Sequence, residues 1–394
     1  MSLSAAQIVR VKGNTGEPAS LVAVDNLVFV SGAVGTHGDA MAQVDEVINK
    51  THQALAARGL GFGDMVQHTI YIKDGVSPLD VLQRFHGTAT TLEPSLKEFK
   101  SVGTIVRLPE FPNKDSLVMI DMTAAAPKVK GNRAEFNRIP FTFGPAEIGE
   151  TFEVKPFVFV AGTEAMDFEH GTLVPTIEQQ VDVIVNKLQS SLQKRGMTVG
   201  DMISHNLYVR KGTDPGKVIQ LFHAATHKLA PQLKDKPSVG TLVIVDGMAS
   251  DGFLLEMDAV AVPSSVKAAR VPNSDHPEIA NSIAVKGLVT LSGVEAAQAN
   301  KPLPDDAAAQ ARIVASKIHD VLRKSGLGIG DLVKYKIYVK AGANAGEVRR
   351  AFLDEAQRLA PALKRNPAAE TLAMVEGLAG PDLKVEVSAI AARR

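Results

Sequence analysis

Glu256 and Asp258 stand two residues apart in the run FLLEMDAVAV, and Glu386 and Ser388 stand in the same relation in LKVEVSAIAA. Alternate side chains of a β-strand point to one face, so a strand through either run presents its two polar groups together. Neighbouring carboxylates raise one another's proton affinity, which can leave one as an acid and the other as a base near neutral pH. The matching run around residue 120 offers Asp121 but carries Met119 where the others carry glutamate. A solvated sheet face or an ion pair between packed units fits the same pattern.

Other chemistry-bearing types are less demanding. His68 and His205 share a strand face with Val66, Ile70 and Ile72 or with Ile203, Leu207 and Val209, which suits an imidazole packed under helices. His86 and His223 follow a repeated Phe and read as half-buried helix residues. Tyr71, Tyr208 and Tyr338 recur on the opposite strand face, each two residues before Lys73, Arg210 or Lys340. Tyr208 and Tyr338 are candidate ligand contacts at a rim, though a repeated packing position explains them equally well. No histidine pair has the spacing of H-E-x-x-H and cysteine is absent, so no metal site is expected. Ser191 and Lys194 have S-x-x-K spacing, but at the end of a helix and without companion motifs. The GFGD run closes a helix instead of opening one, so it is no phosphate loop.

The elements that must position these residues come in triplicate. LVFVSG at 27–32 recurs as FVFVAG at 157–162 and LVTLSG at 288–293, with Gly32, Gly162 and Gly293 spaced by 130 and 131 residues. GFGDMV, TVGDMI and GIGDLV keep step, as do TIYIK, NLYVR and KIYVK. A period this long is that of a domain, not of a solenoid repeat. Within a copy, Val44, Val47, Ile48, Thr51 and Leu55 lie on one face of a helix that stops at Gly59. The order per copy is ββαβαββ, an α+β unit with both helices on one side of its sheet. The uncovered sheet face needs apolar partners. A pseudo-threefold ring, sheets inside and helices outside, supplies them from one chain, with units at 1–127, 128–265 and 266–394. The segments 127–137 and 263–277 read as surface connectors, and 165–175 as a longer loop special to the second copy.

The 394 residues have an ordinary globular composition, 45% hydrophobic and 22% charged, and a formal charge of zero. Neutral charge gives no field to draw in polyanions, so nucleic acid is not expected as a partner. Without cysteine, an apolar leader or a long apolar run, a cytoplasmic protein away from membranes is expected.

Each copy resembles a subunit of the Rid family, the YjgF-like reactive intermediate deaminases or L-PSP endoribonucleases. The residues that carry the resemblance are LVFVSG, LAARGLGFGDMV, HTIYIKD and the closing FLLEMDAVAV or LKVEVSAIAA. The resemblance implies a chorismate-mutase-like unit, a trimer with small-molecule clefts between neighbours, and cofactor-independent hydrolysis of enamines or imines. It implies that Glu256 and Glu386 orient the attacking water, and Asp258, two residues on from Glu256 along the strand, is the further catalytic candidate that the spacing offers. It also places Glu164 and Glu295 on a cleft-bordering loop, where a carboxylate could recognise an amino group, with Ser292 beside them as a binding residue. The family's carboxylate-clamping Arg is replaced by Val102, Val239 and Ala369, so a substrate carboxylate has no partner there. A small-molecule deaminase is therefore expected, working as a pseudo-trimeric monomer whose higher association is open. A non-catalytic binding protein of the same fold is the alternative, and an endoribonuclease the weaker one.

Overall fold

Helix and strand follow from local chemistry repeated three times. In the computed structural model, which describes residues 6–13, 17–97, 100–125, 138–143, 146–167 and 170–393, α1 (Ala40–Ala56) buries Val44, Val47, Ile48, Thr51 and Leu55. Asp39 caps it by accepting the Ala42 N–H. The helix ends where Gly59 takes φ +67°, a left-handed turn that Gly196 and Gly326 repeat after the corresponding helices.

In the first unit β1 (Ile8–Lys12), β2 (Ala19–Val24), β3 (Leu27–Val34), β4 (Met65–Lys73), β5 (Val102–Leu108) and β6 (Val118–Ala125) form a sheet ordered β1-β2-β3-β6-β4-β5. Its helices are α1 and α2 (Pro78–Leu92). The second unit runs β7 (Arg138–Phe143), β8 (Ala146–Val154), β9 (Phe157–Glu164), the hairpin β10 (Met166–Asp167) and β11 (Thr172–Leu173), and α3 (Ile177–Gln193). It continues with β12 (Met202–Arg210), α4 (Pro215–Leu229), β13 (Val239–Val245) and β14 (Leu255–Ala261). The third comprises β15 (Ala268–Pro272), β16 (Ala280–Val285), β17 (Leu288–Leu291), β18 (Val294–Glu295), α5 (Ala307–Arg323), β19 (Leu332–Lys340), α6 (Ala345–Leu359), β20 (Ala369–Val375), β21 (Gly377–Leu378) and β22 (Val385–Ala392). Pairing is antiparallel except between β4 and β5, β12 and β13, and β19 and β20. These are three chorismate-mutase-like α+β units.

Two expectations need correction. Each unit has one more strand than ββαβαββ, an edge strand (β1, β7 or β15) paired to the next in sequence. Residues 268–272, read as connector, are thus sheet, because Ala-Ala-Arg-Val-Pro finds a partner in β16 that periodicity alone does not reveal. Residues 127–137 lie outside the described ones. The expected loop at 165–175 contains the β10–β11 hairpin.

Three cores lie between the helices and sheets, one per unit. Two more are shared by all three units: one contains Phe29, Phe159 and Ile283, the other Tyr71, Tyr208 and Tyr338. The ring closes through one hydrogen bond used three times. Gly149 N–H donates to Ser101 O (2.8 Å), Ala280 N–H to Ser238 O (3.0 Å), and Ala19 N–H to Ala368 O (3.1 Å). Each joins the second strand of a unit to the segment just before the penultimate strand of its neighbour.

Asp121, Asp258, Lys334 and Lys336 line a small axial cavity of about 120 Å³. Lys334 Nζ bonds Val30 O (2.6 Å), Thr371 Oγ1 (3.0 Å) and Asp121, and Lys336 also pairs with Asp121. A buried pair is costly to break from one side, because the remaining charge loses its partner. Asp121→Asn is expected to destabilise the chain by about 3–5 kcal/mol, measured as a lower urea midpoint. An unchanged midpoint would show that the axial charges are solvated.

Candidate functional site

The strand that carries each candidate glutamate is anchored by a buried glutamine on the first helix of its unit. Gln180 Oε1 accepts the Leu254 N–H (2.8 Å) while its Nε2 donates to Val174 O and Gly252 O (2.9 Å each). Gln43 and Gln310 make the same arrangement with Leu117 and Lys384. Lys187 Nζ bonds the carbonyls of Glu164 and Met166 (2.8 Å each), and Lys317 those of Glu295 (2.8 Å) and Ala297 (2.7 Å). These glutamines and lysines fix the two strand ends that face each other. They were legible only as identities kept at one repeat spacing.

Register then pairs the carboxylates. Glu164 lies opposite Glu256 across β9 and β14, and Glu295 opposite Glu386 across β18 and β22. The repeated glycine is explained here, since a Cβ at Gly162 or Gly293 would collide with the Glu256 or Glu386 carboxylate. The Ile105 backbone of the first unit lowers the proton affinity of Glu256, and the Leu242 backbone of the second that of Glu386. Each glutamate therefore belongs to one unit and faces the backbone of its neighbour.

Glu164 and Glu256 line a cavity of about 460 Å³ between the first and second units, whose opposite wall is His68, Gly103, Thr104 and Ile105. Burial raises Glu256 well above the carboxylate range, and the charges of Glu164 and Asp258 add to this. Burial also raises Glu164, to about 7, against the attraction of Lys187. Such a pair takes up and releases protons as a unit. His68 is 1% exposed and packs on Phe85, ring centroids 5.1 Å apart. Its Nδ1 lies 3.1 Å from Ser101 Oγ, while Nε2 has no partner. Burial lowers its pKa to about 3, so the ring is neutral. The core environment is as the pattern suggests, but the ring also forms the cleft wall. Gly103 is required there, because a Cβ would stand 2.6 Å from Nε2.

A larger cavity of about 960 Å³ lies between the second and third units, lined by Glu386, Glu295, His205 and Ser292 among others. Burial raises Glu386 well above its usual range, with Glu295 adding. His276 Nε2 lies 3.7 Å from Glu295 Oε1, and this partner raises the imidazole. Ser292 Oγ accepts the Gly240 N–H (3.0 Å) and donates to Ala280 O (2.6 Å), so its hydroxyl ties the two units together.

The third junction lacks this chemistry. Its register-equivalent pair is Val34 and Met119. Tyr335 and Glu370 replace the histidine and glycine, with Tyr335 Oη donating to Glu370 Oε2 (2.6 Å) and Arg349 Nε to Glu370 Oε1 (2.5 Å). The hollow of about 370 Å³ at this junction is lined by Glu17, Tyr335 and Arg349, and not by Val34 or Met119.

Three candidates sit elsewhere. Asp258 accepts from Asn206 Nδ2 (2.7 Å) and Tyr208 Oη (3.2 Å) and lines the axial cavity, not the cleft. Pleating sends it to the same sheet face as Glu256, but that face meets the ring axis at one position and the neighbouring unit at the other. Tyr208 and Tyr338 are fully buried in the shared axial core and line neither cleft. Ser191 and Lys194 do act together, both bonding Glu150 (2.5 and 2.6 Å), of which Ser191 and Glu150 line the first cleft.

The endoribonuclease L-PSP family model matches residues 276–393. No curated protein matches the chain. Among solved structures, a chorismatase aligns over 84% of this chain and 93% of its own, at 12% identity and a TM-score of 0.49. The YjgF gene product of E. coli is 25% identical over 32% of this chain and 94% of its own, with a TM-score of 0.28. A protein of unknown function from Pseudomonas aeruginosa is 28% identical over 32% of this chain and 93% of its own, also at 0.28.

The raised carboxyls have a measurable consequence for stability. A glutamate ionises near its ordinary value when unfolded but holds its proton to higher pH when folded, so stability falls as pH rises between the two values, by at most about 1.4 kcal/mol per unit. Glutamine does not titrate. Glu256→Gln and Glu386→Gln are therefore expected to raise the melting temperature at pH 8 more than at pH 5. A difference independent of pH would place both carboxyls in water.

Proposed function

Because the chain carries a domain of the L-PSP endoribonuclease family, the YjgF-like or Rid family, over residues 276–393 and repeats its pattern twice before it, we propose that it is a cofactor-independent hydrolase of a small enamine- or imine-type metabolite. The reaction runs in the first–second and second–third clefts and not at the third junction. The observation that carries this reading is the buried pair Glu164 and Glu256 in a cavity of substrate size.

The chemistry follows from the protonation of the pair. Protonated Glu256 gives its proton to the imine nitrogen while ionised Glu164 takes one from the attacking water, whose oxygen bonds to the imine carbon. The carbinolamine then collapses: Glu256 takes the hydroxyl proton, the nitrogen takes the proton held by Glu164, and the C–N bond breaks to leave a carbonyl compound and ammonia. The fixed dipoles of a water-poor site, the Ile105 backbone among them, do the electrostatic work. Glu386 and Glu295 take the same roles in the second cleft, where His276 Nε2 lies 3.7 Å from Glu295 Oε1. Asp258 has no direct part, because its oxygens are committed at the axis. Val102, Val239 and Ala369 offer no clamp for a substrate carboxylate.

Ammonia release from a panel of enamines and imines tests the reading. Glu256→Gln and Glu386→Gln together are expected to lower kcat/KM by about 10²–10⁴, the range of general acid–base catalysis. A Glu386→Gln chain, left with the first cleft alone, should lose activity as pH falls below about 7, where Glu164 takes up its proton. Wild-type rates in the double variant would end the proposal, and saturable binding without turnover would favour a non-catalytic binding protein.

A further inference from the structure

Among the described residues, the buried carboxylates outside the two clefts have cationic partners, apart from Asp258, whose oxygens accept from Asn206 and Tyr208. Asp121 is paired with Lys334 and Lys336, Glu370 with Arg349 and Asp246 with Lys211. Glu256 and Glu386 are each 4% exposed, and Glu164 is 9% exposed. Among the described residues, no lysine or arginine lies within ion-pair distance of these three side chains. Instead each of Glu256 and Glu386 faces a second carboxylate across its own sheet.

The rest of each lining has the same sign. The first cleft presents Glu150, Glu164, Asp182 and Glu256 against Lys187, with the neutral ring of His68 opposite. The second presents Asp275, Glu278, Glu295, Asp320, Asp382 and Glu386. Against them stand Lys317 and Lys324, with His205, His223 and His276. No arginine lines either cleft. Independently of the acidic groups, the buried Nε2 of His68 is left without a partner at the wall of the first cleft, beside Gly103, where an occupant would meet it.

We propose that the compounds taken by the two clefts are cations lacking a carboxylate, with an ammonium or amidinium group seated between the paired glutamates. This rests on the clefts being small-molecule sites and defines their substrate class. The ligand supplies a positive charge of the kind the fold gives to Asp121, Glu370 and Asp246. In the unliganded cleft a proton plays that part: a permanent cation displaces it to solvent, whereas an imine takes it from Glu256 and so becomes the cation. An attractive interaction on this scale separates a cation from an isosteric anion by tenfold or more in affinity.

Isothermal titration calorimetry of the whole chain with benzylamine, benzamidine and benzoate tests this, at pH 6 and pH 8 and in buffers of differing ionisation enthalpy. The two cations are expected to bind saturably, at least about tenfold more tightly than benzoate, with proton release and with affinity rising from pH 6 to pH 8. Glu164→Gln combined with Glu295→Gln should remove that preference while the far-ultraviolet circular dichroism stays native. Benzoate binding as tight as benzylamine, or no saturable binding of either cation, overturns the proposal, as does a preference that survives the double substitution. Cation binding with no turnover of any imine would leave this inference standing and remove the hydrolase reading. Hydrolysis confined to carboxylate-bearing imines would do the reverse.

Discussion

A sheet with helices on only one side cannot exist in water as it stands, and that constraint organises this molecule. Each unit covers one sheet face with its two helices and leaves the other apolar, from Phe29 and Phe159 at one end to Tyr71, Tyr208 and Tyr338 at the other. Three such faces meeting at an axis bury one another, and the seam bonds from Gly149, Ala280 and Ala19 close the ring three times over. The clefts are a by-product of that closure. Where two units meet away from the axis, the final strand of one faces the penultimate strand of its neighbour, so that a glutamate on the first meets the backbone of the second.

Fusion of the units into one chain allows the three junctions to differ. Two keep an acidic pair, a histidine and a glycine. The third replaces them with Val34, Met119, Tyr335 and Glu370, and Arg349 satisfies the added carboxylate. The same asymmetry runs down the axis, where Asp121 is met by two lysines from the third unit alone, while Asp258 accepts from Asn206 and Tyr208 of its own unit. A homotrimer would place three copies of one charge on its axis. A single chain can place opposite charges there and neutralise them.

The repeat, the helices and most strands were legible in the sequence because residue type and hydrophobic period mark them out along the chain, whichever partner they later find. Val44 through Leu55 carry a helical period, and Gly59 ends it by a local dihedral preference. The edge strand at 268–272 was not legible, since a five-residue run with no clear alternation becomes sheet only when a partner lies beside it. Asp258 shows the limit most clearly. Alternation assigns it correctly to the face of Glu256, yet one strand step separates a cleft from the axis. Gln180 and Lys187 were passed over because their importance lies in backbone groups that they bond, which no side-chain motif records.

By itself the sequence determined that one α+β unit occurs three times, and that the final-strand glutamate kept as Glu256 and Glu386 is replaced by Met119 in the first unit. These are matters of residue type and spacing, which hydrophobic period and covalent order suffice to read. Only the tertiary structure decided which polar side chains share a cavity. Glu164 meets Glu256 through strand register, and His68 of one unit faces both through the packing of two sheets. Those distances depend on how twisted sheets pack, which residue type and spacing do not record.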